Sequence, residues 1–298
     1  MSASAKDTEI FALVIQAPEV STPALKELAR RTAASRIVGL PDGGTQAFRL
    51  EGAANQVGIA AFCAAERLDF AFVPATQRLH RVRLIAMDMD STLITIECVD
   101  EIADMQGLKP QVAAITAAAM RGEIDFGASL VRRVALLAGL DVSVLERVYT
   151  ERLALSPGAE RMLASFRKVG AKTLLVSGGF SFFTERLKQR LGLDYTVSNT
   201  LEIVAGRLTG RIEGPIVDAN VKADWVRKLA TEHAQGDGLV VAIGDGANDL
   251  PMLAQADVSV AYHAKPLVRT ACTYAIDYCG LDAVVNLFVR TMQPSIVG

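Results

Sequence analysis

The first 75 or so residues alternate between short apolar runs and segments whose apolar positions recur at helical spacing. Residues 8–16 and 69–75 form apolar runs of strand length, and residues 23–34 and 54–68 show helical periodicity. Between the two helical segments, two short strand-like runs flank the sequence PDGG at residues 41–44, which is typical of a hairpin turn. The resulting order βαββαβ predicts a small α+β sandwich with a ferredoxin-like fold.

A different pattern begins near residue 82. Three apolar runs, VRLIAMDMDST, AKTLLVSGG and LVVAIGDGAND, indicate buried strands that end in acidic residues or glycines. Helical segments separate them, and the longest, from about Val99 to Leu155, contains no convincing strand. Strands that alternate with helices predict an α/β fold with a doubly wound parallel sheet, in which ligands bind at the carboxyl ends of the strands.

Composition and charge exclude several classes of protein. The 298 residues carry 31 Lys and Arg against 33 Asp and Glu, so we expect no nucleic-acid partner held through phosphate neutralisation. No apolar run approaches the roughly 18–20 residues of a membrane span, and the polar N-terminus lacks the pattern of a secretory signal. The four cysteines show no CxxC spacing, as expected of reduced thiols in a cytoplasmic protein.

Acidic side chains follow two of the predicted strands. Asp88 and Asp90 end the first strand, and Asp245, Asn248 and Asp249 follow the third in the sequence GDGAND. A pair of carboxylates at a strand end is an ordinary loop feature, but several at one sheet edge are costly without a cation. Mg²⁺ suits such oxygen ligands and keeps positions for water and phosphate. The sequence therefore predicts a Mg²⁺ site with phosphate as the natural co-ligand.

Two further features fit a phosphate group. Ser177, Gly178 and Gly179 follow the second predicted strand, and a hydroxyl with glycine amides can hold phosphoryl oxygens. Lys222, near the start of a predicted helix, would supply a fixed positive charge. Each feature taken alone has an ordinary explanation, as a strand-to-helix turn and as a solvated surface charge.

The order of these motifs resembles a known family. DMDST, Ser177, Lys222 and GDGANDLPM are similar to the four motifs of haloacid dehalogenase (HAD) phosphatases, across about residues 83–290. Longer stretches resemble the phosphoserine phosphatases of that superfamily: DMDSTLITIECVDEIAD, AMRGEIDFGASLVRRVALLAGL, VSGGFSFF, GDGANDLPML and AYHAKP. The resemblance implies Mg²⁺-dependent hydrolysis of O-phospho-L-serine to L-serine and phosphate through an aspartyl-phosphate, the last step of serine biosynthesis.

The resemblance also implies a role for each acidic residue. Asp88 would be the nucleophile, and Asp90 would protonate the leaving serine oxygen and then activate the hydrolytic water. Mg²⁺ would bind the Asp88 carboxylate, the Asp90 backbone carbonyl and Asp245. Asp249 would orient the metal ligands or their waters.

Further implied contacts concern the phosphate. Ser177, the Gly178 amide and Lys222 would hold the phosphoryl oxygens and offset charge in the transition state. Asn248 would contact the substrate near the phosphate.

The amino-acid part of the substrate would be read by two charged residues. By resemblance, Glu97 would pair with the α-ammonium group, and Arg133 in the helical cap would bind the α-carboxylate. Met120 and Phe126 match apolar cap positions that line the pocket. The sequence LVRRV places Arg132 beside Arg133, and the spacing leaves open which of the two faces the pocket.

These expectations divide the chain into two units. Residues 1–77 would form an ACT-like domain, and residues 78–298 the HAD catalytic domain, with the helical cap at about 94–155 closing over the site. The first unit shows no ligand motif. Whether it binds a regulator or forms a homodimer contact stays open.

Three alternatives remain at this point. A HAD phosphatase or phosphotransferase that acts on another small phospho-amino acid would use the same chemistry. A phospho-accepting receiver domain is disfavoured because it needs only about 120 residues and no cap. A catalytically idle amino-acid sensor is disfavoured because the set of catalytic carboxylates is complete.

Overall fold

The computed structural model describes residues 11–40 and 45–290 and contains two sheets. The elements around the first sheet are β1 (Phe11–Ala17), α1 (Thr22–Thr32), β2 (Arg36–Gly39), β3 (Gln46–Glu51), α2 (Ile59–Ala65) and β4 (Asp69–Pro74). Its strands pair antiparallel in the order β2-β3-β1-β4, which confirms the predicted ferredoxin-like topology. The predicted turn at residues 41–44 and the start of the first predicted strand lie outside the described residues.

Helix α1 shows how local signals position this small unit. Ser21 precedes it, and its hydroxyl accepts a hydrogen bond from the Ala24 amide at 3.2 Å, as an N-cap residue does. Ala24 and Leu28 are buried one turn apart, so this face of the helix packs on the sheet.

The second sheet has seven strands and carries the predicted doubly wound fold. The strands are β5 (Val82–Met87), β6 (Lys172–Phe180), β7 (Tyr195–Val204), β8 (Arg207–Glu213), β9 (Leu239–Gly244), β10 (Val258–Tyr262) and β11 (Tyr274–Ile276). Their order is β11-β10-β9-β5-β6-β7-β8, with every pair parallel except β7 and β8. The helices around this sheet are α7 (Ala159–Lys168), α8 (Ser181–Leu191), α9 (Ala219–His233), α10 (Leu250–Leu253), α11 (Pro266–Ala271) and α12 (Ala283–Asn286). Helices α3 to α6 form the insert between β5 and α7.

One strand of this sheet lacks a clear sequence signal. The polar pattern predicts a hairpin around Val204–Ile216, whereas the hairpin begins with β7 at Tyr195 and turns at Ala205 and Gly206. Most β7 side chains are only partly buried. An apolar run is therefore not needed there, and the hydrophobic pattern does not mark the strand.

Four helices form the predicted insert between β5 and β6: α3 (Cys98–Asp104), α4 (Lys109–Met120), α5 (Phe126–Ala135) and α6 (Ser143–Glu151). The chain leaves and rejoins the core at adjacent points, where Ile94 and Leu155 form an antiparallel bridge. The Thr95 amide donates to the Ala154 carbonyl at 3.0 Å, and the Ser156 amide donates to the Leu93 carbonyl at 2.9 Å. The insert is thus attached to the core through two neighbouring connecting segments.

Within the described residues, no helix combines the length and apolar character needed to cross a membrane.

Buried polar contacts join the first sheet to the second. The Asp69 carboxylate on β4 accepts hydrogen bonds from three consecutive amides, those of Asp277 (2.7 Å), Tyr278 (3.1 Å) and Cys279 (3.0 Å). Burial raises the pKa of Asp69, while these amides act in the opposite direction. On β3, the Arg49 guanidinium donates to the Asn286 and Phe288 carbonyls. The division of the chain near residue 78 stays a prediction, and these contacts oppose free movement of the two parts.

Removal of the Asp69 carboxylate should loosen this contact. Asp69→Ala leaves three amides, one of them buried and two partly buried, without their acceptor, so we expect the free energy of unfolding to fall by about 2–4 kcal/mol. Urea denaturation checks this value. Asp237→Ala is the matched control because Asp237 is an exposed partner of Arg81, and it should change the stability by less than about 1 kcal/mol. Equal losses in both variants would contradict a special role of Asp69.

Candidate active site

The carboxyl ends of β5, β6 and β9 meet at one edge of the large sheet. Asp88 directly follows β5, and its amide donates to the Ile243 carbonyl on β9 at 3.1 Å. Directly after Asp90 the backbone turns, because Ser91 adopts a φ of 56°, in the left-handed region. This turn directs the chain from the core strand into the insert while it leaves both carboxylates at the sheet edge.

Lys222 is buried between two of the carboxylates. Its Nζ lies 2.8 Å from Asp88 Oδ1 and 2.8 Å from Asp249 Oδ1, and only 1% of its side chain is exposed. Burial by itself lowers the pKa of a lysine, but the charges of Asp249 and Asp88 outweigh it and raise the pKa. The solvated-lysine alternative is therefore wrong, and Lys222 presents a fixed positive charge inside the site.

Asp90 and Asp245 each accept a hydrogen bond at the same edge. Asp90 Oδ1 accepts from the Cys98 amide at 3.0 Å, which attaches it to the first turn of α3. Asp245 Oδ1 accepts from the Thr92 hydroxyl at 3.0 Å. Burial raises the pKa of Asp90, and burial followed by the Asp249 charge raises the pKa of Asp245 to about 6.

The acidic cluster has the donor set that a hard cation requires. One carboxylate oxygen from each of Asp88, Asp245 and Asp249 lies within 4.8 Å of the others. The Asp249 carboxylate already accepts four hydrogen bonds, because Oδ1 accepts from Lys222 and from Asn248 Nδ2, and Oδ2 accepts from the Asp245 and Gly246 amides at 3.2 and 3.1 Å. Burial first, and then the Asp249 charge, raise the pKa of Asp88 well above its usual range. A divalent cation offsets such crowding, so the residues fit a metal held mainly by Asp88 and Asp245.

Residues 177–179 lie at the carboxyl end of β6, where the pairing with β7 shifts register between Val176 and Phe180, and they face these carboxylates. The sequence predicts that this segment holds phosphate, and we call it the phosphate loop. Ser177 is buried, and its hydroxyl accepts a hydrogen bond from the Gly179 amide at 2.8 Å. A Cβ atom on Gly179 would lie 2.7 Å from Asp90 Oδ2, and a Cβ on Gly178 would lie 2.6 Å from Phe126 Cζ. Only glycines fit at these two positions, between the acidic cluster and the first residue of α5.

Asn199 on β7 is part of the site and carries no sequence signal that identified it. Its Nδ2 donates to the Gly178 carbonyl at 2.8 Å, and its Oδ1 accepts from the Val217 amide at 2.8 Å. The side chain is 1% exposed. Through these two hydrogen bonds, Asn199 connects the phosphate loop to the segment that leads into α9 and Lys222.

Glu97 lies at the mouth of the site. Its side chain is exposed to solvent, and Oε1 accepts a hydrogen bond from the Ser91 hydroxyl at 2.9 Å. Although the side chain reaches solvent, the surrounding protein desolvates its carboxyl group, and this effect, followed by the charge of Asp90, raises the pKa of Glu97 to about 7. Asn248 lies beside the acidic cluster, where its Nδ2 donates to Asp249 Oδ1 at 3.3 Å.

The two neighbouring arginines of α5 have different environments. Arg132 is exposed, whereas Arg133 is half-buried and its positive charge acts on Glu97. Within the described residues, Arg133 Nε is buried and has no hydrogen-bond partner. The tertiary structure thus turns Arg133, rather than Arg132, toward the interior. Of the two expected apolar pocket residues, Phe126 contacts Gly178, while Met120 is 68% exposed at the end of α4.

Comparison with family models places this arrangement in a class. The model of the haloacid dehalogenase-like hydrolases matches residues 85–254, which include the end of β5, the insert, the phosphate loop and the GDGAND segment. The chain belongs to this family of hydrolases. A second model, a domain of unknown function (DUF4072), matches residues 13–57 in the N-terminal sheet.

Individual relatives show which members of this family the chain is similar to. A phosphoserine phosphatase from Polaromonas sp. is 52% identical over 215 residues, which cover 70% of this chain and 91% of that protein. A HAD family hydrolase structure from Salmonella enterica serovar Typhi has a TM-score of 0.81 at 34% identity, and covers 93% of this chain and 98% of its own. A structure described as the phospho-aspartyl intermediate analogue of phosphoserine phosphatase has a TM-score of 0.64 at 35% identity, over 70% of this chain and 99% of that chain.

Proposed function

We propose that this chain is a phosphoserine phosphatase that hydrolyses O-phospho-L-serine to L-serine and phosphate. The observation that carries the proposal is the meeting of Asp88, buried Lys222 and the phosphate loop at one sheet edge, with Arg133 facing inward above them. The 52% identity to the Polaromonas phosphoserine phosphatase supports the same substrate.

The first half of the reaction uses both aspartates of the DMDST motif. The Asp88 carboxylate attacks phosphorus and forms an aspartyl-phosphate, while the bond from phosphorus to the serine oxygen breaks. The departing oxygen takes a proton from Asp90 and leaves as the serine hydroxyl. The raised pKa of Asp90 is consistent with a carboxyl group that keeps a proton for this step.

In the second half, Asp90 removes a proton from water. The water oxygen bonds to phosphorus, the acyl-phosphate bond breaks, and Asp88 returns to its carboxylate form as phosphate departs. Asp90 thereby regains the proton it gave to serine, so the enzyme is unchanged over the cycle.

Three groups hold the phosphoryl oxygens in this proposal. Lys222 offsets negative charge from its buried position, and the Ser177 hydroxyl and Gly178 amide donate hydrogen bonds. Because these donors are fixed before the substrate binds, little reorganisation is needed as charge develops on phosphorus.

We assign Mg²⁺ as the cation, held by the Asp88 carboxylate, the Asp90 carbonyl and Asp245. When bound, it neutralises charge on the phosphate and on the acidic cluster. Asp249, which accepts hydrogen bonds from Lys222, Asn248 and two backbone amides, keeps the loop that carries Asp245 in place.

Recognition of the amino acid falls to Glu97 and Arg133, with Asn248 near the phosphate. Glu97 would accept from the α-ammonium group, and the unpartnered Nε of Arg133 would donate to the α-carboxylate.

We place the enzyme in the cytoplasm, since none of its four cysteines forms a disulfide and three of them are buried thiols. A homodimer through the N-terminal sheet remains a prediction.

Substitution of Arg133 tests the substrate. A charge-assisted hydrogen bond to a carboxylate contributes about 1.5–3 kcal/mol, so Arg133→Ala should lower kcat/KM for phosphoserine about 10- to 100-fold or more. The same variant should change kcat/KM for p-nitrophenyl phosphate little, because that substrate has no carboxylate. Phosphate release measures both.

Arg132→Ala is the matched control because Arg132 is the exposed neighbour on the same helix. It should affect both substrates weakly. An equal loss on both substrates in Arg133→Ala would mean that Arg133 acts on closure or stability of the insert. Comparable wild-type turnover of sugar phosphates and phosphoserine would contradict the proposed substrate.

A further inference from the structure

Asn199 satisfies two separate backbone segments with one buried side chain. Nδ2 holds the carbonyl of Gly178, and Oδ1 holds the amide of Val217, each at 2.8 Å. The backbone of Asn199 pairs with Phe180 in the β6–β7 ladder, but neither side-chain contact belongs to that ladder, so the strand does not need this side chain for its pairing. The side-chain amide is therefore placed to serve the two backbone segments that it bridges.

The contact with Gly178 sets the direction of one peptide group. The Gly178 carbonyl and the Gly179 amide belong to the same planar trans peptide, so they point in opposite directions. With the carbonyl held toward Asn199, the Gly179 N–H is directed at Ser177 Oγ, to which it donates at 2.8 Å.

This orientation decides how Ser177 can act. A serine hydroxyl has one hydrogen to donate and two lone pairs that accept. Because Oγ already accepts from Gly179, its hydrogen stays available for a phosphoryl oxygen. If the peptide turned over, its carbonyl would face Ser177 and take that hydrogen instead.

The contact with Val217 extends the effect to Lys222. Val217 immediately precedes Asp218, whose side chain caps α9 by accepting from the Asn220 and Val221 amides at 2.9 Å. Lys222 lies on the first turn of this helix. The start of α9 and the phosphate loop are thus held at a set separation by one amide.

We infer that Asn199 is a positioning residue for phosphoryl binding, which fixes the phosphate loop relative to Lys222. The inference rests on the proposed phosphoryl transfer but not on phosphoserine as the substrate. Asn199 touches no reacting atom, and it acts through the Gly178–Gly179 peptide and through the segment that begins α9.

Asn199→Asp tests this role with little change in shape. A carboxylate can still accept from Val217, but it cannot donate to the Gly178 carbonyl and repels it. We expect kcat/KM for p-nitrophenyl phosphate to fall about 10- to 100-fold, and the Kd for inorganic phosphate to rise about tenfold. Asn199→Ala introduces no charge and should also lower kcat/KM and raise the Kd for phosphate. It tests the positioning role if the Asp variant does not fold.

Two controls separate positioning from general stability. Asn286→Asp alters another buried amide, whose Nδ2 donates to Gln16 Oε1 at a distance of 3.0 Å. Asn286 lies away from the acidic cluster, so this variant should lower the Tm without a comparable loss of phosphate binding. In a Ser177→Ala background, Asn199→Asp should lower phosphate affinity and kcat/KM several-fold less than in wild type, because the Ser177 hydroxyl through which it mainly acts is absent.

The outcomes distinguish this inference from the proposed function. Folded Asn199 variants with wild-type phosphate affinity and turnover would overturn the positioning role alone. Fully additive losses with Ser177→Ala would overturn it as well. Wild-type protein that neither binds phosphate nor hydrolyses p-nitrophenyl phosphate would overturn the proposed function and this inference with it.

Discussion

Asp88→Asn should fold, bind phosphoserine and release no phosphate. An amide cannot form the acyl-phosphate, so kcat should fall on the order of 10⁴-fold or more, as when the nucleophile of another covalent enzyme is removed. Stability should change little, because Lys222 keeps its ion pair with Asp249 at 2.8 Å. Phosphate release and calorimetric binding of phosphoserine measure the two effects.

The control for this prediction is Asp224→Asn on α9. Asp224 is exposed and pairs with Arg227 at 2.7 Å, so its loss should leave turnover unchanged. In wild type, beryllofluoride should bind as a mimic of the aspartyl-phosphate, and Asp88→Asn should not bind it. Substantial turnover by pure Asp88→Asn protein would refute Asp88 as the nucleophile.

Removal of divalent metal should abolish turnover. Asp88 and Asp245 supply oxygens that lie within 4.8 Å of one another, and burial together with the charge of Asp249 opposes their joint ionisation without a cation. EDTA should therefore reduce phosphate release to background, and Mg²⁺ should restore it. Ca²⁺ should inhibit, because it accepts bidentate carboxylates and higher coordination, which would occupy the nucleophile's oxygen.

Thermal unfolding gives a second measure of the same site. Mg²⁺ that binds the folded protein should raise its Tm in a concentration-dependent way. Asp245→Asn should weaken this rise, and Asp224→Asn should preserve it. Full activity of a metal-free preparation would rule out the assigned cation site.

The sequence by itself determined the acidic strand ends and the fold class. Apolar runs that end in Asp88, Gly178 and Asp245 are local signals, and the carboxyl ends of parallel strands meet by geometry at one edge. The order βαββαβ of the N-terminal sheet was readable for the same reason, since periodicity and turn residues act over a few positions.

These local patterns do not determine how each side chain is buried or which partners it contacts. Nothing near Lys222 in the chain indicates that Asp88 and Asp249 enclose it, because these partners follow β5 and β9, which are distant from α9 in the sequence. Arg132 and Arg133 are adjacent and chemically identical, and only the packing of α5 against the core turns one of them inward.

The contacts made across the fold were decided by tertiary structure alone. Asn199 lies 21 residues from Gly178 and 18 from Val217, and its two hydrogen bonds exist only after β7 has paired beside β6. Asp69 meets amides more than 200 positions away. Hydrophobic periodicity records which face of an element is buried, whereas a polar contact between distant segments depends on how those elements pack, and no short stretch of sequence contains that information.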